Sequence, residues 1–159
     1  RFAVWGHVWD DPGGAGYQQT RVLSYAASGG LFGTGLGKGF LKNVFAGSSD
    51  LVFGMICEEL GLALAAVVVL SIAMLMFYAR SDVTRSRSTF YSISACAAAG
   101  IMLFQTCLNV FGATDVLPMT GVTLPFISLG GSSMVSVWGL LAFIKASDER
   151  TYAARRKRK

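Results

Sequence analysis

Asp50 is the residue best placed in this sequence to do acid–base chemistry. It follows Ser48-Ser49 and opens the first long apolar run of the chain. Two readings of it compete. Ser and Asp at such a junction cap helices, accepting hydrogen bonds from the unpaired backbone N–H groups of the first turn. A carboxylate on a rigid helix end at a membrane edge is also a candidate general base, able to take a proton from a lipid-linked substrate. The helix N-terminus favours the charged carboxylate and lowers its basicity, and burial would counteract that. Glu58-Glu59 follow about two turns later, in a span otherwise free of charge. Carboxylates at such depth are costly and count as functional candidates by default. Their competing reading is a place near the headgroups, or opposite a cation from another segment. Asp50 and Glu58 lie about 80° apart around a helix, so they share a broad face.

Three further groups bear on chemistry. The run from Gly29 to Gly39 holds Gly30, Gly33, Gly35, Gly37 and Lys38. Neither nucleotide-binding spacing fits it: Gly37-Lys38 is followed by Gly39 where a phosphate-binding loop needs Ser or Thr, and the G-x-G-x-x-G pattern meets Lys38 or Phe40 at its last position. It reads as a tightly turned loop, or as one whose backbone N–H groups and Lys38 meet an anionic headgroup. Gln105 and Asn109 stand four apart and share a helix face, the usual arrangement for bonding another helix in a membrane. The segment from Leu117 to Ser133 sets Pro118, Gly121, Pro125, Ser128, Gly130, Gly131, Ser132 and Ser133 in an apolar context. Irregular backbone at membrane depth is tolerated only where protein buries it or water reaches it. That implies close packing or a cavity lining.

The elements that must position these groups are membrane helices. Of 159 residues, 53% are hydrophobic and 14% charged, well under the roughly 25% charged of a soluble domain. The chain therefore reads as an all-α polytopic membrane protein. The expected layout is a large extracytoplasmic loop over 1–49, a span over 50–79, a cytoplasmic loop over 80–89, a span over 90–112, an extracytoplasmic loop over 113–127, a span over 128–146 and a basic cytoplasmic tail over 147–159. The net charge of +5 would by itself suggest nucleic acid. Counted by region, the whole excess lies between Lys145 and Lys159, and the rest of the chain sums to zero. With Arg80, Arg85 and Arg87 between the first two spans, the positive-inside bias puts that loop and the C-terminus in the cytoplasm, and nucleic acid is not an expected partner. Tyr17 to Ala27 reads as a short helix, and Trp5 and Trp9 suit a membrane interface. Cys57, Cys96 and Cys107 are too few and too scattered for a disulfide framework or a zinc site. The opening Arg1-Phe2-Ala3-Val4-Trp5 reads as the start of a piece of something longer.

Three blocks together resemble the SEDS (FtsW/RodA/SpoVE) family. They are Asp11-Pro12 … Gly16-Tyr17-Gln18 … Ser28-Gly29-Gly30-Leu31-Phe32-Gly33; Asp50-x-x-Phe53 … Glu58-Glu59-Leu60-Gly61; and Asn109 … Leu117-Pro118-x-Thr120-Gly121-Val122-x-Leu124-Pro125-Phe126-Ile127-Ser128-x-Gly130-Gly131-Ser132-Ser133. The resemblance implies a peptidoglycan glycosyltransferase of about ten membrane helices, of which this chain is the C-terminal portion, inactive alone. The family's catalytic aspartate, in a pattern like His-Thr-Asp-Phe-Ile-Phe, maps onto Asp50, here flanked by Ser48-Ser49 and Leu51-Val52-Phe53. Its substrate would be lipid II, and its partner a class B penicillin-binding protein. Lys38, Lys42, Arg21 and Arg1 are the candidates to offset the pyrophosphate charge, with a divalent cation (Mg or Mn) as the implied cofactor, and Glu58 and Glu59 are further candidates for substrate contact. A non-catalytic scaffold that binds or translocates lipid II is the alternative.

Overall fold

The computed structural model describes residues 5–44, 49–83 and 89–156, with side chains described through 79 in the second stretch and through 147 in the third. Arg1, Ser48, Arg85, Arg87 and the last three basic residues lie outside the described residues. The described residues are helical, with no strand among them: α1 Tyr17–Gly29, a 3-10 turn Leu41–Asn43, α2 Val52–Val83, α3 Thr89–Ala113 and α4 Gly131–Arg156.

The apolar runs decide the long helices. Two of them, Val52–Ala79 (mean hydropathy 2.7) and Thr89–Ala113 (1.6), are long and apolar enough to cross a membrane by length and composition. Their apolar side chains mostly face outward: Leu70 is 66% exposed, Met74 75% and Phe104 64%. A soluble core helix would bury such residues, whereas lipid accepts them. The end of α2 packs against the start of α3 through Met76, Ala79, Ala95, Ala98 and Ala99, and Val137 and Ile144 of α4 join that cluster. The small alanines let the backbones approach. At the opposite end, Leu51 and, in α2, Phe53 and Cys57 share a cluster with Ala113 of α3, Val22 of α1 and Leu41. The α2–α3 pair is therefore antiparallel.

α4 begins at Gly131, three residues beyond the expected Ser128. Ser128 belongs to the preceding loop, where its Oγ accepts from the Leu124 N–H at 2.8 Å and donates to the Ser49 carbonyl at 2.7 Å. The Phe126 ring meets Trp138 of α4 edge-on, centroids 5.6 Å apart, which seats this loop on the bundle.

α2 is not continuous. Gly61 takes φ 85°, ψ 164°, which interrupts the helix right after Glu58-Glu59-Leu60. A break frees backbone groups that must find partners. The glycine loop supplies them. Thr34 N–H and Oγ1 donate to the Glu58 carbonyl, and Gly35 N–H donates to that of Glu59 at 3.0 Å. On the far side of the break, Leu62 N–H donates to the Gly30 carbonyl at 2.9 Å and Ala63 N–H to that of Leu31. The loop thus replaces the helical ladder across one turn of α2. It can do so because Gly33 and Gly61 both hold positive φ and carry no side chain: a Cβ on Gly33 would collide with the Glu59 carbonyl, and one on Gly61 with that of Leu31.

Candidate active site at the start of the second helix

Asp50 sits in a turn one residue before the helix boundary. The Leu51 carbonyl accepts the Met55 N–H, so Leu51 occupies the capping position and Asp50 precedes it. The capping reading of Asp50 is corrected accordingly. Among the described residues the Asp50 carboxylate has no hydrogen-bond donor, and the residue is half-buried. Its main chain, by contrast, is held on two sides. Asn109 Nδ2 donates to the Asp50 carbonyl at 3.0 Å and to the Val122 carbonyl at 2.6 Å. Ser128 Oγ holds the carbonyl of Ser49, the preceding residue. Asp50, Asn109, Gly112, Met119, Thr120 and Gly121 line a small cavity of about 10 Å³, close to the lower bound for one water.

The loop that completes this site is built by its own chemistry. Gly121 has φ 76° and Asp115 and Phe126 hold positive φ, a conformation uncommon for residues with a side chain. Pro125 and Ser128 within it are fully buried. Pro118 and Met119 pass close to Gly112 at the end of α3, whose carbonyl accepts from Gln19 Nε2 of α1 at 2.7 Å. Asn109, read from the sequence as a helix amide, and Gly121 and Ser128 of the loop motif thus converge around the Asp50 turn. Gly130 and Ser133 act at the start of α4, where Ser133 Oγ donates to the Gly130 carbonyl at 3.0 Å, and Gly131 and Ser132 form its first turn.

Glu58 and Glu59 do something different from meeting a cation. Glu58 is 1% exposed, and its carboxylate accepts the N–H groups of Phe40 at 2.7 Å and Leu41 at 3.0 Å. The Glu59 carboxylate accepts from Gly37 at 3.0 Å and Gly39 at 3.3 Å. Such charge-assisted bonds are roughly twice as strong as neutral ones. They strap the 37–41 segment to α2. The backbone part of the anionic-headgroup reading of the glycine run is corrected by the same observation. The N–H groups of Gly33, Thr34, Gly35, Gly37, Lys38 and Gly39 all find acceptors within the protein. Replacing Glu58 with alanine removes the acceptor of two N–H groups, one of them in the fully buried Leu41. The expected cost is about 2 kcal/mol, read as a lowered Tm in detergent; Glu58→Gln, which keeps one acceptor oxygen, is expected to cost about half.

The basic candidates lie apart from Asp50. Lys38 is exposed on the glycine loop and Lys42 on the 3-10 turn that follows it, and Lys42 Nζ donates to the Gly37 carbonyl. The Arg21 guanidinium stacks over Tyr17 at 5.3 Å and lines a separate cleft with Trp9, Pro12, Thr20 and Ser24. None of the three lines the Asp50 cavity. Among the described residues no three His, Cys, Asp or Glu side chains come together as a metal cage. One carboxylate suits Mg or Mn only in the manner of sites where substrate phosphates and waters complete the shell.

Sequence reasoning missed the break at Gly61. The signal was a lone glycine inside a helical pattern, which costs about 1 kcal/mol against alanine and asks for a reason. It also missed that the Asn109 amide reaches the Asp50 backbone.

Helices with no strand among the described residues, two of them of membrane length, and a carboxylate that is unengaged among those residues on a clamped turn at one helix end define a membrane protein whose candidate chemistry lies at the end of the bundle. The chain belongs to the FtsW/RodA/SpoVE family of cell cycle proteins, whose model matches residues 1–152. It is 36% identical over 145 residues to the peptidoglycan glycosyltransferase RodA of Mycobacterium tuberculosis, covering 91% of this chain and 31% of that protein. Similar relatives are the probable peptidoglycan glycosyltransferases FtsW of Buchnera aphidicola (36% over 132 residues; 80% of this chain, 33% of that one) and of Wigglesworthia glossinidia brevipalpis (32% over 145 residues; 88% and 38%). The chain spans about a third of the length of these curated relatives.

Proposed function

We propose that this chain is the C-terminal portion of a peptidoglycan glycosyltransferase that polymerises lipid II into glycan strands during bacterial cell-wall synthesis. The observation that carries the reading is the Asp50 carboxylate, unengaged among the described residues at the start of a membrane-length helix while its backbone is clamped by Asn109. Such a group is free to accept a proton and rigid enough to do so from a fixed place. Asp50 takes the proton of the acceptor sugar hydroxyl. That oxygen attacks the anomeric carbon of a second lipid-linked disaccharide, the new glycosidic C–O bond forms, and the bond to undecaprenyl pyrophosphate breaks.

The charge on the leaving pyrophosphate needs compensation. Lys38, exposed on the segment strapped to α2, and Lys42, exposed on the turn just after it, are proposed for that role, with Arg21 and Arg1 as the other candidates. A divalent cation, Mg or Mn, bound largely through the pyrophosphate would supply further charge neutralisation. In the topology that goes with this reading, α4 is a third span, residues 1–49 and 113–127 lie outside the cell, and the basic tail lies in the cytoplasm. The remaining helices of a ten-helix fold complete the substrate cavity, and a class B penicillin-binding protein is the partner.

A scaffold or carrier would bind the same lipid without forming a bond. Purified full-length protein with its transpeptidase partner, given lipid II in liposomes, is expected to yield glycan strands visible by gel electrophoresis. Binding of lipid II without any strand product would replace the enzyme reading with the carrier one.

A further inference from the structure

We infer that Asn109 is a positioning residue for the reaction, acting on the Asp50 carboxylate through the Asp50 main chain. The inference rests on Asp50 being the general base proposed above.

Asn109 is 4% exposed, inside a membrane-length helix. A buried amide there is expensive unless its hydrogen bonds are met. Its Nδ2 meets two carbonyls, Asp50 at 3.0 Å and Val122 at 2.6 Å. Two carbonyl partners can be served only by an NH₂ group, so the partners themselves fix which way the amide points. Its Oδ1 is buried and meets no protein donor among the described residues. An amide oxygen that no protein group meets is costly unless water reaches it. The open end of the amide lies beside Asp50: Asn109 and Asp50 line the same small cavity with Thr120 and Gly121.

The geometry explains what the amide does. Asp50 lies outside the helical ladder, one residue before the cap, so no helical hydrogen bond fixes its own peptide. A carboxylate on an unfixed turn would swing, and small misplacements of a reacting group are expensive in rate. The Asn109 amide ties that peptide to α3 and, through Val122, to the loop over 117–128. Ser128 does the same for the Ser49 carbonyl. The turn carrying the base is held between two elements distant in sequence.

The test compares D50A, N109A and the double variant D50A/N109A in the full-length protein with its transpeptidase partner. Polymerisation rate is measured against lipid II concentration, and Tm is followed in parallel. N109A is expected to lower kcat about 10- to 100-fold with KM within about twofold, because binding groups elsewhere are untouched. The double variant is expected to be no slower than D50A, since residues that act as one unit are not additive. If N109A fails to fold, N109S, whose hydroxyl can serve one carbonyl, is expected to show the same kcat loss in reduced degree. A folded N109A or N109S with unchanged kcat overturns the inference, and so does a double variant slower than D50A by the full N109A factor. Failure of the base assignment is read separately, from D50A retaining its rate.

Discussion

Asp50→Ala is expected to reduce glycan polymerisation by the full-length protein about 10²- to 10⁴-fold, the range a positioned general base contributes. The protein should remain folded and bound to its partner. The physical grounds for that separation are specific. The Asp50 side chain has no hydrogen-bond donor among the described residues, whereas its main-chain carbonyl, which alanine keeps, is what Asn109 holds. Truncating the side chain therefore removes the proton acceptor and leaves the clamp. Asp50→Asn, nearly identical in shape, should lose activity to a similar degree, because an amide is not a base at neutral pH. The measurement is the rate of strand formation from lipid II, paired with a co-purification assay for the partner. Wild-type rates in D50A would remove Asp50 from the chemistry.

Gly61→Ala is the substitution expected to damage the fold most. At φ 85°, ψ 164° the backbone occupies a region that is essentially glycine-only, and a side chain there costs about 1–3 kcal/mol in strain. The added methyl would also point at the Leu31 carbonyl, which accepts the Ala63 N–H across the break, and at the Gly33 backbone, whose N–H donates to the Gly29 carbonyl. Relief would require the 30–35 loop to withdraw, leaving the carbonyls of Glu58 and Glu59 and the N–H groups of Leu62 and Ala63 without partners. The sum is a destabilisation of about 3 kcal/mol or more. Gly100→Ala makes a sharp control. Gly100 lies within α3, nothing approaches its Cβ position within 4 Å, and its φ is not in the left-handed region. There alanine should be neutral or stabilising by up to about 1 kcal/mol through helix propensity. Thermal melting of both variants in the same detergent tests the contrast. Equal tolerance at positions 61 and 100 would mean that the loop does not depend on the break.

The break gives the two acidic residues a reason to be where they are. Glu58 and Glu59 immediately precede the interruption, and both their carbonyls and their carboxylates face the glycine loop. One helical turn thus holds the segment from Thr34 to Leu41 along its length. That segment also carries Lys38. A charge proposed for the leaving group is thereby carried on a strap anchored to the same half of α2 that begins beside Asp50.

How much of this was legible beforehand differs by kind of feature. The long helices were readable from residue type alone, because apolar length is a local property and lipid favours the helix, which satisfies most backbone groups within the segment. The short helix after Gly16 was readable for a similar reason: turn-forming residues bound it at both ends, and it runs Tyr17–Gly29 as against the expected Tyr17–Ala27. The family was legible in three blocks of motif, and residues 1–152 match the family model. The basic tail was legible as a count. The partners of the polar residues were not. Nothing in the spacing of Glu58-Glu59 says that their acceptors would be filled by the backbone of residues 37–41, since that pairing spans 17 to 22 residues. Nothing in Asn109 says that it would reach a carbonyl 59 residues away.

The sequence by itself determined which stretches form apolar helices, where charge is tolerated and which family the chain falls in, because these depend on composition and local order. Only the tertiary structure decided that α2 breaks at Gly61, that the glycine run fills the break, and that Asp50 stands just outside its helix with its backbone clamped and its carboxylate unengaged among the described residues. The physical reason is that a buried polar group must find a partner, and which partner it finds depends on which segments packing brings alongside.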